Sequence, residues 1–324
     1  MLCTAVARLL IAGLIAACGL AATACKAPEE PLRVGVLAWP PYDLAYLALE
    51  EDLLDPEDFR LVGFQTPSEL VRSFRYGLVD VMFITSHFAV STLNEVGDTR
   101  IIYFIDVSLG GDALLARPGV DAEDLKGARI GVEVAPLGMY TLVRALDELG
   151  LERDEVEIVN IDTAGQFNAW SDREIDAVVT YEPTRSQLLD QGAIELFNSK
   201  SIPYEILDVV VVNERTIDAH RTALVKLVRG LDRAISMYRS DPAATIRTMA
   251  RRQAISAEHF SLAMAGVEVF DLTANLDMMT GDTRKLLDAL EKQCRIMTEA
   301  GMLVSAPDLT PMIESSIVEQ AARQ

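Results

Sequence analysis

Trp39-Pro40-Pro41-Tyr42 stands at the carboxyl end of the first strand-like run, Leu32–Leu37, just ahead of a helical pattern over Leu44–Leu54. A surface turn would need only a pair such as Asp-Gly. Two stiffening prolines between two rings with polar tips suit a wall against which a small molecule packs. Other expected strand ends add polar groups: Asp43, Thr85 and Ser86 with His87 beside them, Ser108, Asp112, Glu133, and finally Tyr181 and Glu182. Leu137 and Gly138 open a helix whose start has no good capping side chain, so its free N–H groups can seat a partial negative charge. The four carboxylates Asp43, Asp112, Glu133 and Glu182 stand against a single base, Arg185. A pocket built for a small inorganic anion would more often show arginine, lysine or several hydroxyls. Carboxylates beside aromatic rings suit an amine, a protonated heterocycle or a zwitterion. Structural uses compete at each place: the rings could pack into a core, Glu182 could cap the helix at Pro183, and Asp112 could brace a hinge.

The elements that must carry these residues alternate. Strand patterns at Leu32–Leu37, Arg60–Gln65, Val81–Ile84 and Ile101–Val107 are separated by helical ones, the second opened by Thr66-Pro67-Ser68-Glu69 as a capping box. A further strand at Ala113–Ala116 follows after the turn Ser108–Asp112. The rhythm repeats with strands at Arg129–Glu133, Val156–Ile161, Ala177–Thr180 and Ile194–Phe197, and helices at Pro136–Leu149, Gln166–Trp170 and Pro183–Gln191. Asp208–Val212 is a last apolar strand; beyond it the pattern is helical to the end, with amphipathic segments over Arg221–Arg239 and Asp282–Ala300. Such alternation predicts parallel α/β sheets, which bind ligands outside the carboxyl ends of their strands. Two runs, divided near Leu114–Gly119 and rejoined near Tyr204–Asp208, predict a first lobe of residues 32–116 and 208–324 and a second of 117–207, joined by two crossings. Val79-Asp80 before one buried strand ending in Thr85, and Ile175-Asp176 before another ending in Thr180, form an internal echo.

Composition limits the partners. The chain has 324 residues, half of them hydrophobic, and a formal charge of −20, which weighs against nucleic acid, whose phosphates need a basic face. Three scattered histidines and four cysteines without a Cys-x-x-Cys spacing offer no metal site, and no phosphate loop or nucleophile motif marks a cofactor or a catalytic centre. The first residues differ in kind: a basic start at Met1–Arg8, an apolar run at Leu9–Ala17, then Cys18-Gly19. This reads as an export signal over residues 1–17 and is too short for a membrane span. Ile15-Ala16-Ala17-Cys18 resembles the lipobox of bacterial lipoproteins, which implies a lipid on Cys18, with Cys25 as a second candidate. Residues 18–31, ending in the Pro-rich Lys26–Pro31, read as a tether.

The order of Leu32–Ala48, Ser73–Thr85, Asp106–Pro118, Leu125–Glu133 and Asp176–Arg185 resembles the substrate-binding proteins of ABC importers, in their nitrate/sulfonate/taurine and thiamine-precursor branch. The resemblance covers roughly residues 32–250. It implies a type II periplasmic-binding-protein fold whose lobes close on a small-molecule ligand, a permease and its ATPase as partners, attachment to the membrane through the lipid only, and a place outside the cytoplasmic membrane. It implies a binding protein without a cofactor. A ligand-sensing lipoprotein remains the alternative, ahead of an enzyme; the related enzymes of menaquinone and thiamine-pyrimidine formation are intracellular, against which the export signal argues.

Overall fold

The computed structural model describes residues 30–281 and 283–323; the expected signal, Cys18 and Cys25 lie outside them. The strands are β1 Leu32–Val36, β2 Phe59–Gly63, β3 Val81–Thr85, β4 Arg100–Ser108, β5 Asp112–Ala116, β6 Arg129–Val132, β7 Glu157–Asn160, β8 Ala177–Tyr181, β9 Ile194–Asn198, β10 Leu207–Val212 and β11 Val267–Val269. Between them run α1 Asp43–Glu50, α2 Pro67–Arg75, α3 Ser86–Val96, α4 Pro136–Leu149, α5 Gln166–Ser171 and α6 Thr184–Asp190. The carboxyl-terminal part adds α7 Glu214–Ser240, α8 Pro242–Gln253, α9 Ala257–Ala265, α10 Leu272–Thr280, α11 Arg284–Glu299 and α12 Ser316–Ala322.

Two mixed sheets result, ordered β11-β4-β10-β3-β1-β2 and β7-β6-β8-β5-β9. The pairs β1–β2, β1–β3, β6–β7 and β6–β8 are parallel, as local strand–helix–strand units demand. The others depart from the parallel expectation. β10 runs antiparallel to both β3 and β4, and β5 antiparallel to both β8 and β9. Each of these two strands enters its sheet from the other one, without a crossover helix to turn it round. β3 and β10 are buried at every position, which fits strands with covered faces and explains their unbroken apolar patterns.

Three boundaries differ from the sequence reading. Asp112–Ala116 pairs with β8 and β9, so the chain changes sheets at 109–111, ahead of the division expected at 116/117. Its apolar run alone could not say which sheet it completes. The tail is not wholly helical, because Val267–Val269 adds an edge strand to β4; three residues are too few to show a period of two. The helix expected at Arg221 begins seven residues earlier: Asn213 caps α7 and a kink at His220 interrupts it.

The internal echo has a physical counterpart. Arg33, in β1, wraps Asp80 with its backbone N–H at 2.9 Å, Nε at 2.8 Å and Nη2 at 2.6 Å. Arg129, at the start of β6, holds Asp176 in the same way, at 3.0, 3.1 and 3.0 Å. In each sheet the clasp ties the strand that begins the run to the turn before its neighbour, and the two sheets share one order of strands around it.

Candidate ligand-binding site

Thr85, Asp208 and Asp106 form a row. Thr85 ends β3 and is paired with Asp208 of β10, which is paired on its other side with Asp106 of β4. Residues directly opposite in antiparallel strands project from one face, so three polar side chains stand abreast on neighbouring strands. A register shift in the β4–β10 pair follows immediately after Asp208, which ends the regular ladder there. Trp39 and Tyr42 close over the row. The prolines between them form a single 3-10 turn, sealed by a Tyr42 N–H bond to the Trp39 carbonyl at 2.9 Å. The turn aims Trp39 Nε1 at Asp106 Oδ2, 3.1 Å away, and the Tyr42 hydroxyl donates to Asp208 Oδ1.

A second, shorter row comes from the other sheet: Asp112 opens β5 and is paired with Tyr181 at the end of β8. The Tyr181 ring meets Trp39 edge to face, centroids 6.2 Å apart. Gly111 permits this approach, since a β-carbon there would lie 2.6 Å from the Trp39 ring. Further along, Ser68 at the start of α2 donates to Glu133 Oε1 at 3.1 Å. Gly138, in the first turn of α4, is fixed in identity because a β-carbon would meet the Glu133 carbonyl oxygen at 2.3 Å.

Two adjoining cavities lie between the rows, with about 20 Å³ and about 10 Å³ of room for the centre of a water-sized sphere. They share Pro67, Phe88, Asp112, Leu137 and Tyr181 as walls. The larger also touches Trp39, Tyr42, Thr85 and Asp208; the smaller touches Glu133, Gly138, Thr141, Thr163 and Gln166. Among the described residues no lysine, arginine or histidine lines either one. Thr85 Oγ1, Asp106 Oδ1, Thr141 Oγ1 and Gln166 Oε1 are buried without a hydrogen-bond partner among the described residues.

The electrostatics follow from burial without a counter-charge. Asp106, Asp208 and Asp112 are 0%, 2% and 3% exposed. Burial, with Asp112 nearby, pushes Asp208 up to about 7 although Tyr42 donates to it. Burial, with Glu182 nearby, likewise raises Asp112 to about 7 against the pull of the Ser108 hydroxyl and Arg185. Asp106 is pushed far above the carboxylate range by burial and by Asp208. Glu133 rises through burial, and the Ser68 hydroxyl only partly offsets this.

Of the residues expected from sequence, Trp39, Tyr42, Thr85, Asp112, Glu133, Leu137, Gly138 and Tyr181 therefore meet around one cleft. Four do not. Asp43 is turned inward and bonded to Arg252 of α8, whose guanidinium also lies 3.8 Å over the Tyr46 ring, because the first turn of α1 faces the helices and not the cleft. Ser86 donates to Gln293 of α11 at 2.8 Å. Ser108 pairs with Ser199 at 2.8 Å where the chain changes sheets. Glu182 accepts from Arg185 and from both the N–H and hydroxyl of Ser186, so it organises the start of α6. Asp106 and Asp208 were missed. Each is an aspartate within an apolar strand, and such a residue requires a buried partner or a ligand.

The described residues superimpose on the alkanesulfonate-binding protein SsuA of Xanthomonas axonopodis pv. citri bound to MOPS, with a TM-score of 0.75 over 90% of this chain and 100% of that one, at 18% identity. The fold is that of the periplasmic binding proteins. A family profile described as "NMT1/THI5 like" matches residues 99–245. The taurine-binding periplasmic protein of Escherichia coli (strain K12) is 26% identical over 185 residues, 55% of this chain and 57% of that protein, so the match spans little more than half of the relative's length. The periplasmic-binding-protein fold also hosts chemistry: the desulfurization enzyme DszB superimposes with a TM-score of 0.65 over 90% of this chain and 99% of its own, at 17% identity. The chain is thus similar in sequence to a binding protein and in fold to binding proteins and to an enzyme.

Proposed function

We propose that this chain is the solute-capturing component of an ABC importer of the sulfonate/taurine type, exported, lipid-anchored through Cys18 outside the cytoplasmic membrane, and delivering its ligand to a permease. Its solute is a small nitrogen-bearing organic molecule held between two lobes, one built on each sheet. The observation that carries this reading is the cleft lined by aromatic rings and raised carboxylates with no basic side chain. Ligands named for the relatives carry a sulfonate, and the uncapped start of α4 beside Leu137 and Gly138 supports an anionic end at the outer part of the same cleft. A zwitterion such as an aminosulfonate satisfies both ends. Turnover finds little support: Cys294, the one cysteine among the described residues, is buried on the inner face of α11, raised to about 11, and lines neither cavity.

Thermal-shift screening against amines, aminosulfonates, alkanesulfonates and pyrimidines tests the reading. A true solute at 100 times its dissociation constant adds about 2.7 kcal/mol of stability. A flat response to the whole panel would end the binding-protein reading. Mass spectrometry of the mature amino terminus tests the anchor, and an unmodified terminus would remove it.

A further inference from the structure

We infer that the row Thr85–Asp208–Asp106, with Asp112 facing it, captures an ammonium group in exchange for a proton, so that loading the cleft releases acid. This rests on the solute-binding reading and says which end of the solute enters first and what leaves. Three carboxylates are buried together, and among the described residues none of them has a cation at hydrogen-bond distance. The base that acts on Asp112, Arg185, is engaged by Glu182 at 2.9 Å and by Glu195 at 2.5 Å. Charges buried in this way cannot all persist, so the row without a ligand retains protons.

The groups that face the row from each neighbouring element sharpen this. Around Asp208 stand Tyr42, Asp106 and Asp112; around Asp106 stand Trp39, Asp208 and Asp112; around Asp112 stand Ser108, Glu182 and Arg185. Tyr42 and Trp39 are donors that stabilise one oxygen of each inner carboxylate, and Tyr42 itself is held far from ionising by burial and by Asp208. What is left over is acceptor capacity. The Thr85 hydroxyl lines the cavity unpartnered, and behind Asp208 in the row Asp106 Oδ1 is buried without a partner among the described residues. An ammonium brings one positive charge and three N–H donors. It meets acceptors on Thr85, Asp208 and Asp112, and its charge makes deprotonation of the row favourable. The balance is simple: the cation enters, a carboxyl proton leaves to solvent, and the net charge of the site is unchanged. A neutral or anionic group at the same place would leave the carboxyl groups protonated and release nothing.

The test uses 2-phenylethylammonium as probe, with 2-phenylethanol as its neutral counterpart and ethanesulfonate as an anion, by titration calorimetry in buffers of different ionisation heat. The ammonium should bind with an affinity that rises towards about tenfold per pH unit for each proton released, between about pH 5 and about pH 7, and its heat should vary with the buffer. Asp208→Asn should reduce the protons released per ligand while the melting temperature stays measurable. Three results overturn the inference: no binding of the ammonium, binding independent of pH and buffer, or binding no tighter than that of 2-phenylethanol. If ethanesulfonate alone binds, the solute-binding reading survives and the cation exchange does not. If nothing in the wider solute panel binds either, both fall.

Discussion

At the scale of single residues, the Trp39 indole joins two jobs, packing against Tyr181 and donating to Asp106. Trp39→Phe keeps most of the ring and deletes the donor. It should cost about 1 kcal/mol of stability, raise the Asp106 carboxyl further, and weaken ligand binding more at low pH than at high; melting and calorimetry at two pH values check this. His87 makes the opposite kind of prediction. It lies fully buried against Tyr140, both ring nitrogens lack a partner among the described residues, and burial lowers it to about 3. The unfolded chain takes up a proton near pH 6.5 and the folded one does not, so the wild type loses stability as pH falls from about 6.5 towards 3, by up to about 1.4 kcal/mol per pH unit. His87→Leu removes that loss, and its melting temperature should hold a constant offset from the wild type above about pH 7 and gain on it as pH falls from about 6.5 to 5. A constant difference across that range would show that His87 is not held neutral. Sequence made Trp39, Tyr181 and Asp112 legible because they stand at strand ends, where parallel α/β sheets open on their ligands. The same rule also pointed to Asp43 and Glu182, which the structure commits to Arg252 and to the start of α6. Asp208 was hidden by position: as the polar residue before Val209–Val212 it looks like a strand entry, and only pairing with Thr85 and Asp106 turns it towards the cleft.

At the scale of elements, the clasps Arg33–Asp80 and Arg129–Asp176 are matched parts of two similar sheets. Burial works to raise Asp80, but the hydrogen bonds from Arg33 outweigh it; at Asp176 the hydrogen bonds from Arg129 exceed burial, and both carboxyls are held below the ordinary carboxylate range. A lowered carboxyl contributes stability that is present above about pH 4 and lost as pH falls through its folded value. Asp80 is 20% and Asp176 36% exposed, and both arginines lie in solvent to more than a third, so Asp80→Asn and Asp176→Asn should each cost only on the order of 1 kcal/mol at neutral pH. Because each lies in its own sheet and they share no partner, the double variant should lose about the sum of the two in chemical denaturation. Marked excess over the sum would mean that the sheets do not hold their clasps separately. The Asp-strand-Thr echo was readable because strand sequences repeat with their turns. The antiparallel insertion of β5 and β10 was not, since the direction of a strand leaves no trace in its own composition.

At the scale of the whole molecule, Glu205 ties α4 to α11 just before the chain re-enters the first sheet as β10. It accepts from Tyr140 at 2.7 Å and Arg144 at 2.8 Å, both on α4, and from Lys292 of α11 at 2.5 Å. Its own carbonyl accepts from Gln293 at 2.9 Å. Burial works to raise the carboxyl, but Arg144, Lys292 and Tyr140 outweigh it and lower it. Glu205→Gln therefore loses paired charge where the chain returns to the first sheet. Small-angle scattering should show a larger average radius without ligand, and affinity should fall by about tenfold, the equivalent of about 1.4 kcal/mol spent on closing. An unchanged radius would remove Glu205 from the closing of the cleft. The two passages between the sheets have one more consequence. Ser108 donates its N–H to the Ile206 carbonyl at 2.9 Å, and Leu207 is paired with Val107. The second sheet is thus a loop of chain whose exit and entry touch, the geometry of a module spliced into a host. Cutting it out and joining 108 to 206 through a short glycine bridge should leave the first sheet with every ladder bond it now has, and the excised piece could in turn be replaced by another protein whose ends lie equally close.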